Sequence, residues 1–252
     1  MRISTISSEQ LAVIIQACLN GSRPVDYHPR LPVTPNALAL DGAACVERGA
    51  SELHIHPRGA DGRESLRAVD DTMRRLRIAC PGVPVGVSTG DWIEGDEERT
   101  RACIAAWETL PDYASVNISE PDHVAVMDIL SRRNIGIEAG LASVADAQRL
   151  VALPNCGTVL RILIEIEEQD IGAAHNVADG ILGVLERSGL DKPVLLHGFD
   201  ATVWSFVRRA KLNDWSTRVG LEDDNRRSDG RPANDNAELV SDAVAIFAGD
   251  TI

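Results

Sequence analysis

Short apolar runs alternate along the chain with longer amphipathic stretches. Residues 11–18, Leu-Ala-Val-Ile-Ile-Gln-Ala-Cys, read as a buried strand that stops at the turn signal Asn20-Gly21-Ser22. Thr34-Pro35 then opens a helix: the threonine side chain can cap it, and proline fits its first position. That helix runs from about residue 36 to 48 and stops at Gly49. The two-part pattern recurs. Strand 51–56 precedes a helix from Glu64 to just before Pro81, and strand 83–88 precedes helix 96–109. Strand 113–117 precedes helix 122–133, and the short strand 135–138 precedes a helix capped by Ser143 and ending at Leu153. Strand 158–164 is followed by helix 170–188, and strand 193–197 by helix 202–211. Strand 216–221 leads through a charged loop at 226–232 to a helix capped by Asp235 or Asn236 and running toward Phe247.

Consecutive strand-helix units demand a parallel sheet with right-handed crossovers. Eight of them in 252 residues leave about 31 residues each, which fits one closed (β/α)8 TIM barrel spanning residues 1–252 as a single domain. An open doubly wound sheet is the alternative. Its first turn normally carries Gly-x-Gly-x-x-Gly, whereas Asn20-Gly-Ser-Arg-Pro24 does not.

Composition narrows the function classes. Hydrophobic residues make up 44% of the chain, enough for one full core, yet no run approaches the ~20 apolar residues of a membrane span. The first ten residues hold no apolar segment of the kind a secretory signal needs, which points to the cytoplasm. The five cysteines are odd in number and widely spaced, as expected of free thiols. A net charge of -13 argues against nucleic acid as a partner.

Barrel chemistry collects at the C-terminal strand ends. Those ends hold Gln16 and Cys18; His54, His56 and Arg58; Ser88 and Thr89; Ser115 and Asn117; Glu138; Glu165; His197; and Glu222, Asp223 and Asp224. Strand side chains alternate faces, so His54 and His56 point the same way and suit two ligands of one Zn2+. Glu222, at the end of strand eight, is the expected third ligand, and such a site leaves a position open for substrate. The plainer reading is a pair of ordinary strand histidines. His197 is either an extra ligand or a hydrogen-bonded histidine of the barrel mouth.

Arg218 and Glu222 share a face in strand register, whereas Asp223 reaches the arginine only if the chain turns. An arginine-carboxylate pair there makes a fixed donor array for an anionic oxygen, or else a rim salt bridge. Ser88-Thr89-Gly90 lacks the Gly-x-Ser-x-Gly context of an acyl-serine, so Ser88 and Thr89 read as substrate-positioning residues.

Taken in order, Ile15-Gln-Ala-Cys-Leu-Asn-Gly21, Leu31-Pro-Val-Thr-Pro35, His54-Ile-His-Pro-Arg58, Ser88-Thr-Gly90, Ala114-Ser-Val-Asn117, Arg218-Val-Gly-Leu-Glu-Asp-Asp-Asn225 and Asn236-Ala-Glu-Leu-Val240 resemble the β-keto acid cleavage enzymes, the family of 3-keto-5-aminohexanoate cleavage enzyme. The resemblance implies a β/α barrel with catalytic zinc that transfers a keto-acid fragment to acetyl-CoA, giving acetoacetate and a new CoA thioester. It implies His54, His56 and Glu222 as zinc ligands, Arg218 and Asp223 as the catalytic pair, and Ser88 near the reacting carbon. Gln16, Arg58, Thr89, Ser115, Asn117 and Glu138 are then expected substrate-pocket positions, and a homodimer or homotetramer the expected assembly. The chain departs from the family pattern at Gln16, at Gly90-Asp91 and at Glu165-Ile-Glu-Glu168, and it is short for the family. Acidic residues after strand six would repel a polyanionic CoA, so a CoA-free hydrolase or retro-aldolase is the alternative enzyme, and a keto-acid or metal-binding barrel without turnover the non-enzymatic one.

Overall fold

The computed structural model describes residues 13–249. Among the described residues, eight parallel strands close into one barrel in chain order: β1 Ile15–Cys18, β2 Glu52–Ile55, β3 Val85–Ser88, β4 Tyr113–Asn117, β5 Gly136–Leu141, β6 Arg161–Ile166, β7 Val194–Gly198 and β8 Ser216–Val219. The helices between and after them are α1 Pro35–Glu47, α2 Val69–Ala79, α3 Glu97–Ala106, α4 His123–Arg132, α5 Val144–Ala152, α6 Ile171–Ser188, α7 Val203–Leu212 and α8 Asn236–Ala248. This is the (β/α)8 TIM barrel that the alternating pattern predicts. The first two residues of the expected first strand, Leu11 and Ala12, lie outside the described residues.

Local rules account for most boundaries. Thr34, Asp96, Ser143, Asp170 and Asp235 each accept a backbone N–H in the first turn of their helix. Several boundaries differ from the sequence pattern; α3, for one, ends at Ala106 and not at residue 109. α2 does not start at Glu64: Ser65 caps a 3-10 turn, Leu66–Ala68, and the helix follows. β5 runs three residues past Glu138, pairing Gly140 with Asn117 and Leu163. β6 starts at Arg161, because residues 156–158 form a second 3-10 turn. β8 stops at Val219 instead of reaching Leu221.

The apolar core lies mainly between sheet and helices, whereas a polar layer crosses the barrel interior. Gln16 Nε2 donates to Tyr113 Oη at 2.9 Å and to Glu138 Oε1 at 3.0 Å. Arg161 Nε donates to the same Glu138 oxygen at 2.5 Å and its guanidinium also pairs with Glu52. Buried charge persists only when paired and hydrogen-bonded, and here each charged group has a partner.

Above this layer the β8–β1 junction fixes the site's backbone. A Cβ on Gly220 would lie 1.9 Å from the Cys18 carbonyl oxygen, so only glycine lets the two strands approach this closely. Asn236 sits beside the junction, fully buried. Its Oδ1 accepts Leu221 N–H at 2.6 Å, and its Nδ2 donates to Leu19 O at 2.8 Å and to Asp41 Oδ2 at 2.6 Å. Asp235 caps α8, and Asn236 ties the turn that carries Glu222 to β1 and α1.

Two outcomes test this frame. Gly220→Ala should cost about 2–4 kcal/mol in chemical unfolding, because backbone must separate from backbone. Asp41 is pushed up to about 7 by burial, against the Asn236 hydrogen bond. An acid raised above its unfolded value of ~3.9 favours the folded state below that pH, and the benefit disappears as pH rises through about 7. Asp41→Asn, which still accepts from Asn236, should gain about 4 kcal/mol on the wild type between pH 4 and pH 8 in the same assay.

Candidate active site

The C-terminal strand ends open into a cavity of about 660 Å³. His54, next to last in β2, faces the cavity, and the period of two brings His56 to the same side. Asn20 fixes the His56 backbone from both directions: its Oδ1 accepts His56 N–H at 2.9 Å and its Nδ2 donates to His56 O at 2.8 Å. The two imidazole Nε2 atoms face each other at 3.2 Å. Glu222 Oε1 lies 3.6 Å from His56 Nε2 and 4.0 Å from His54 Nε2. One donor atom from each of these three buried residues falls within 4.8 Å of the others.

This is a cation-seeking arrangement. Two donors on one tetrahedral ion, each at ~2.0–2.1 Å, stand about 3.3 Å apart, close to the 3.2 Å found here. Burial holds His54 well below the ordinary imidazole range, so it offers a lone pair. His56 is pushed up to about 9 despite burial, by Glu222 and Glu64. The place therefore favours one positive charge, which a proton or a metal ion can supply.

Arg218 is the positive group of the site. It is 2% exposed, and its Nη2 donates to Glu222 Oε1 at 2.8 Å and lies 3.7 Å from Glu165 Oε2. Its Nε is 3.8 Å from Asp223 Oδ1. Burial works against its charge, but Cys18 and then Glu222, Asp223 and Glu165 outweigh that and push its pKa up. Burial would raise Glu222, yet Arg218 and the two histidines hold it well below the carboxylate range. The turn after Val219 brings Asp223 back: its N–H donates to Gly220 O at 2.8 Å. Arg218 thus bonds Glu222 directly, with Asp223 farther off.

Asp223 is fully buried, and neither of its oxygens has a well-aligned hydrogen bond. His197 Nδ1 stands 3.3 Å from Asp223 Oδ1, and its Nε2 is 3.7 Å from Glu165 Oε2. Burial and Arg218 lower the His197 pKa, but Asp223 and Glu165 reverse this and leave it raised. His197 therefore belongs with these carboxylates and lies outside the His54-His56-Glu222 group.

Ser88, Ser115 and Asn117 line the cavity with the two histidines, Arg218 and Glu222. Four expected substrate contacts lie elsewhere. Gln16 and Glu138 belong to the interior polar layer below, held there by Tyr113 and Arg161. The Thr89 hydroxyl donates to Ser115 O at 2.7 Å and so locks β3 to β4. Arg58 donates to the carbonyls of Gly21, Arg23 and Gly62, which fixes the loop after β1.

Among the residues of the site that the sequence reading missed are Glu64 and Trp92. Glu64, read there as a helix start, bonds His56 Nδ1. Trp92 forms part of the cavity wall. The one signal for Glu64 is the Gly59…Gly62 turn, which folds the chain back so that Arg58 and Glu64 bridge antiparallel.

The family model for beta-keto acid cleavage enzymes matches residues 12–180. The 3-keto-5-aminohexanoate cleavage enzyme of Acetoanaerobium sticklandii is 23% identical over 256 residues, covering 93% of this chain and 91% of that protein. Among solved structures, ObcA in a ternary complex with a C4-CoA adduct and oxalate superposes with a TM-score of 0.71 at 18% identity. That match covers 89% of this chain and 65% of ObcA, so the chain spans less than two thirds of that relative. Type I 3-dehydroquinate dehydratase from Clostridium difficile gives a TM-score of 0.65 at 11% identity over 94% of this chain and 93% of its own, a likeness of fold. With the family model matching well over half of its length, the chain belongs to the beta-keto acid cleavage enzyme family.

Proposed function

We propose that this chain is a zinc-dependent enzyme that transfers a β-keto acid fragment to acetyl-CoA, forming acetoacetate and a new CoA thioester. The observation that carries the reading is the convergence of His54, His56 and Glu222 donors within 4.8 Å, beside Arg218 and buried Asp223. The donor set, two imidazoles and one carboxylate, fits a divalent cation. Bound there, such a cation supplies Lewis-acid stabilisation of negative charge on the keto oxygen of the substrate.

The chain's own residues supply the rest. Arg218 presents a permanent charge at the cavity wall and offers it to the substrate carboxylate. Asp223, buried behind Arg218 with no well-aligned hydrogen bond on either oxygen, takes the proton from the carbon between the keto and carboxylate groups in this reading. The carbanion so formed attacks the thioester carbonyl, and CoA thiolate leaves. That thiolate then attacks the original keto carbon, the C–C bond breaks, and Asp223 returns its proton to the departing acetoacetate carbon. Ser88 faces the reacting carbon, while Ser115 and Asn117 orient the acid's distal part. We further infer a single domain over residues 1–252, a cytoplasmic setting and a homodimer or homotetramer. Among the described residues no helix is long and apolar enough to cross a membrane.

Glu165, Glu167 and Asp200 also line the cavity. This acidic side favours a second reading in which water, and not a CoA thioester, is the acceptor.

One set of incubations separates the two. The protein with a β-keto acid should release acetoacetate only when acetyl-CoA is present; equal cleavage without it would overturn the transferase reading. His54→Ala should fall from about one equivalent of zinc to below about 0.1 by elemental analysis, and a stoichiometric result would overturn the ligand set. Asp223→Asn should keep the zinc and lose about 10²–10⁴-fold in kcat.

A further inference from the structure

One carboxylate joins the candidate metal centre to the cavity wall. Glu64 Oε1 bonds His56 Nδ1, and Glu64 Oε2 accepts the Trp92 indole N–H at 2.8 Å. The His56 and Glu64 side chains are only 6% and 12% exposed, so the contact is not a loose surface ion pair. Trp92, by contrast, is 48% exposed and lines the cavity. Its ring packs on the backbone of Gly90, where a Cβ would meet it at 2.2 Å. A second tie joins the same two loops: Glu94 Oε1 accepts Leu66 N–H at 3.0 Å and the Ser65 hydroxyl at 3.4 Å. The loop after β2 and the loop after β3 are therefore fastened together at Trp92 and again at Glu94.

We propose that Glu64 is a positioning residue that orients His56 for metal binding and, through its second oxygen, holds Trp92 as a substrate-facing wall. Metal occupancy and the shape of the cavity are thereby coupled through one side chain. The inference rests on the proposed metal site. The physical basis is specific to a carboxylate. Accepting from His56 Nδ1–H leaves the lone pair of Nε2 directed at Glu222 and His54, as a ligand requires. The two N–H groups reach different oxygens of the carboxylate. A glutamine in the same pose turns its NH2, a donor, toward one of them, so it keeps His56 or Trp92 but not both.

The test compares wild type, Glu64→Gln and Trp92→Phe, each first shown by circular dichroism to fold without metal. Zn2+ affinity is measured by competition with a chromophoric chelator. Tryptophan emission is recorded as Zn2+ is added, and the share due to Trp92 is the part missing in Trp92→Phe. Glu64→Gln should bind Zn2+ about 10–100-fold more weakly. It should also lose the Zn2+-induced change in Trp92 emission. Trp92→Phe should stay within about threefold of wild-type Zn2+ affinity and raise KM for the β-keto acid more than it lowers kcat. Wild-type affinity in Glu64→Gln, or a full Trp92 response in it, would overturn the proposal. Failure of the wild type to bind Zn2+ would overturn it together with the metal site. Zn2+ binding with the expected Glu64 effect but no keto-acid cleavage would leave it standing and sink the proposed reaction alone.

Discussion

The site is organised by a shortage of positive charge around Arg218. Its guanidinium lies 2.8 Å from Glu222, 3.7 Å from Glu165 and 3.8 Å from Asp223, all inside the barrel mouth. One cation among three carboxylates leaves an imbalance that low-dielectric surroundings make costly. The protein answers with imidazoles. His56 is raised to about 9 and His197 is raised as well, both against the pull of burial. His54 is driven the other way, chiefly by burial. The electrostatics thus divide the mouth into a lone-pair donor, a place that wants a cation, and a carboxylate beside a histidine. Metal-assisted carbon-acid chemistry needs those three things.

That division requires the backbone after β8 to sit in one place. Gly220 lets the chain press against Cys18, Asn236 holds Leu221, and the turn that follows delivers Glu222 and Asp223 to different partners. Asn20 does the same for His56 on the other side. These amides are buried and bonded at both ends, so they cannot move without leaving unpaired groups behind. Below them the Gln16, Tyr113, Glu138 and Arg161 layer fills the barrel with paired polar groups and gives the mouth a rigid floor.

Much of the fold was legible because periodicity and caps are local. Thr34-Pro35, Ser143 and Asp235 announce helix starts, and each does cap. His54 and His56 were legible because the period of a strand is two. Arg218 and Glu222 do meet, but through the turn after Val219 and not by strand register. Depth along the barrel axis was not legible. Gln16 and Glu138 occupy strand positions that alternate correctly, but one layer lower than the cavity, and only register between strands reveals that. Glu64 was hidden for a different reason. A glutamate before an amphipathic run reads as a helix start, and nothing in a linear pattern shows that a turn will carry it back to His56.

Formal charge misleads in the same way at the cavity's acidic side. The sequence presents the acidic residues of Glu165-Ile-Glu-Glu168 as hostile to a polyanionic CoA, and the fold adds Asp200 to the same wall. In the folded chain Asp200 pairs with Arg23 at 2.8 Å, and Glu165 faces both Arg218 and His197. Of Glu165, Glu167 and Asp200, which line the cavity, Glu167 alone has no ion pair among the described residues. One unpaired carboxylate, screened over about 8 Å at physiological salt, repels a phosphate far less than three would. Access to the cavity is therefore set less by the sign of this wall than by its shape, and Trp92, tied through Glu64 to His56, bounds part of that space.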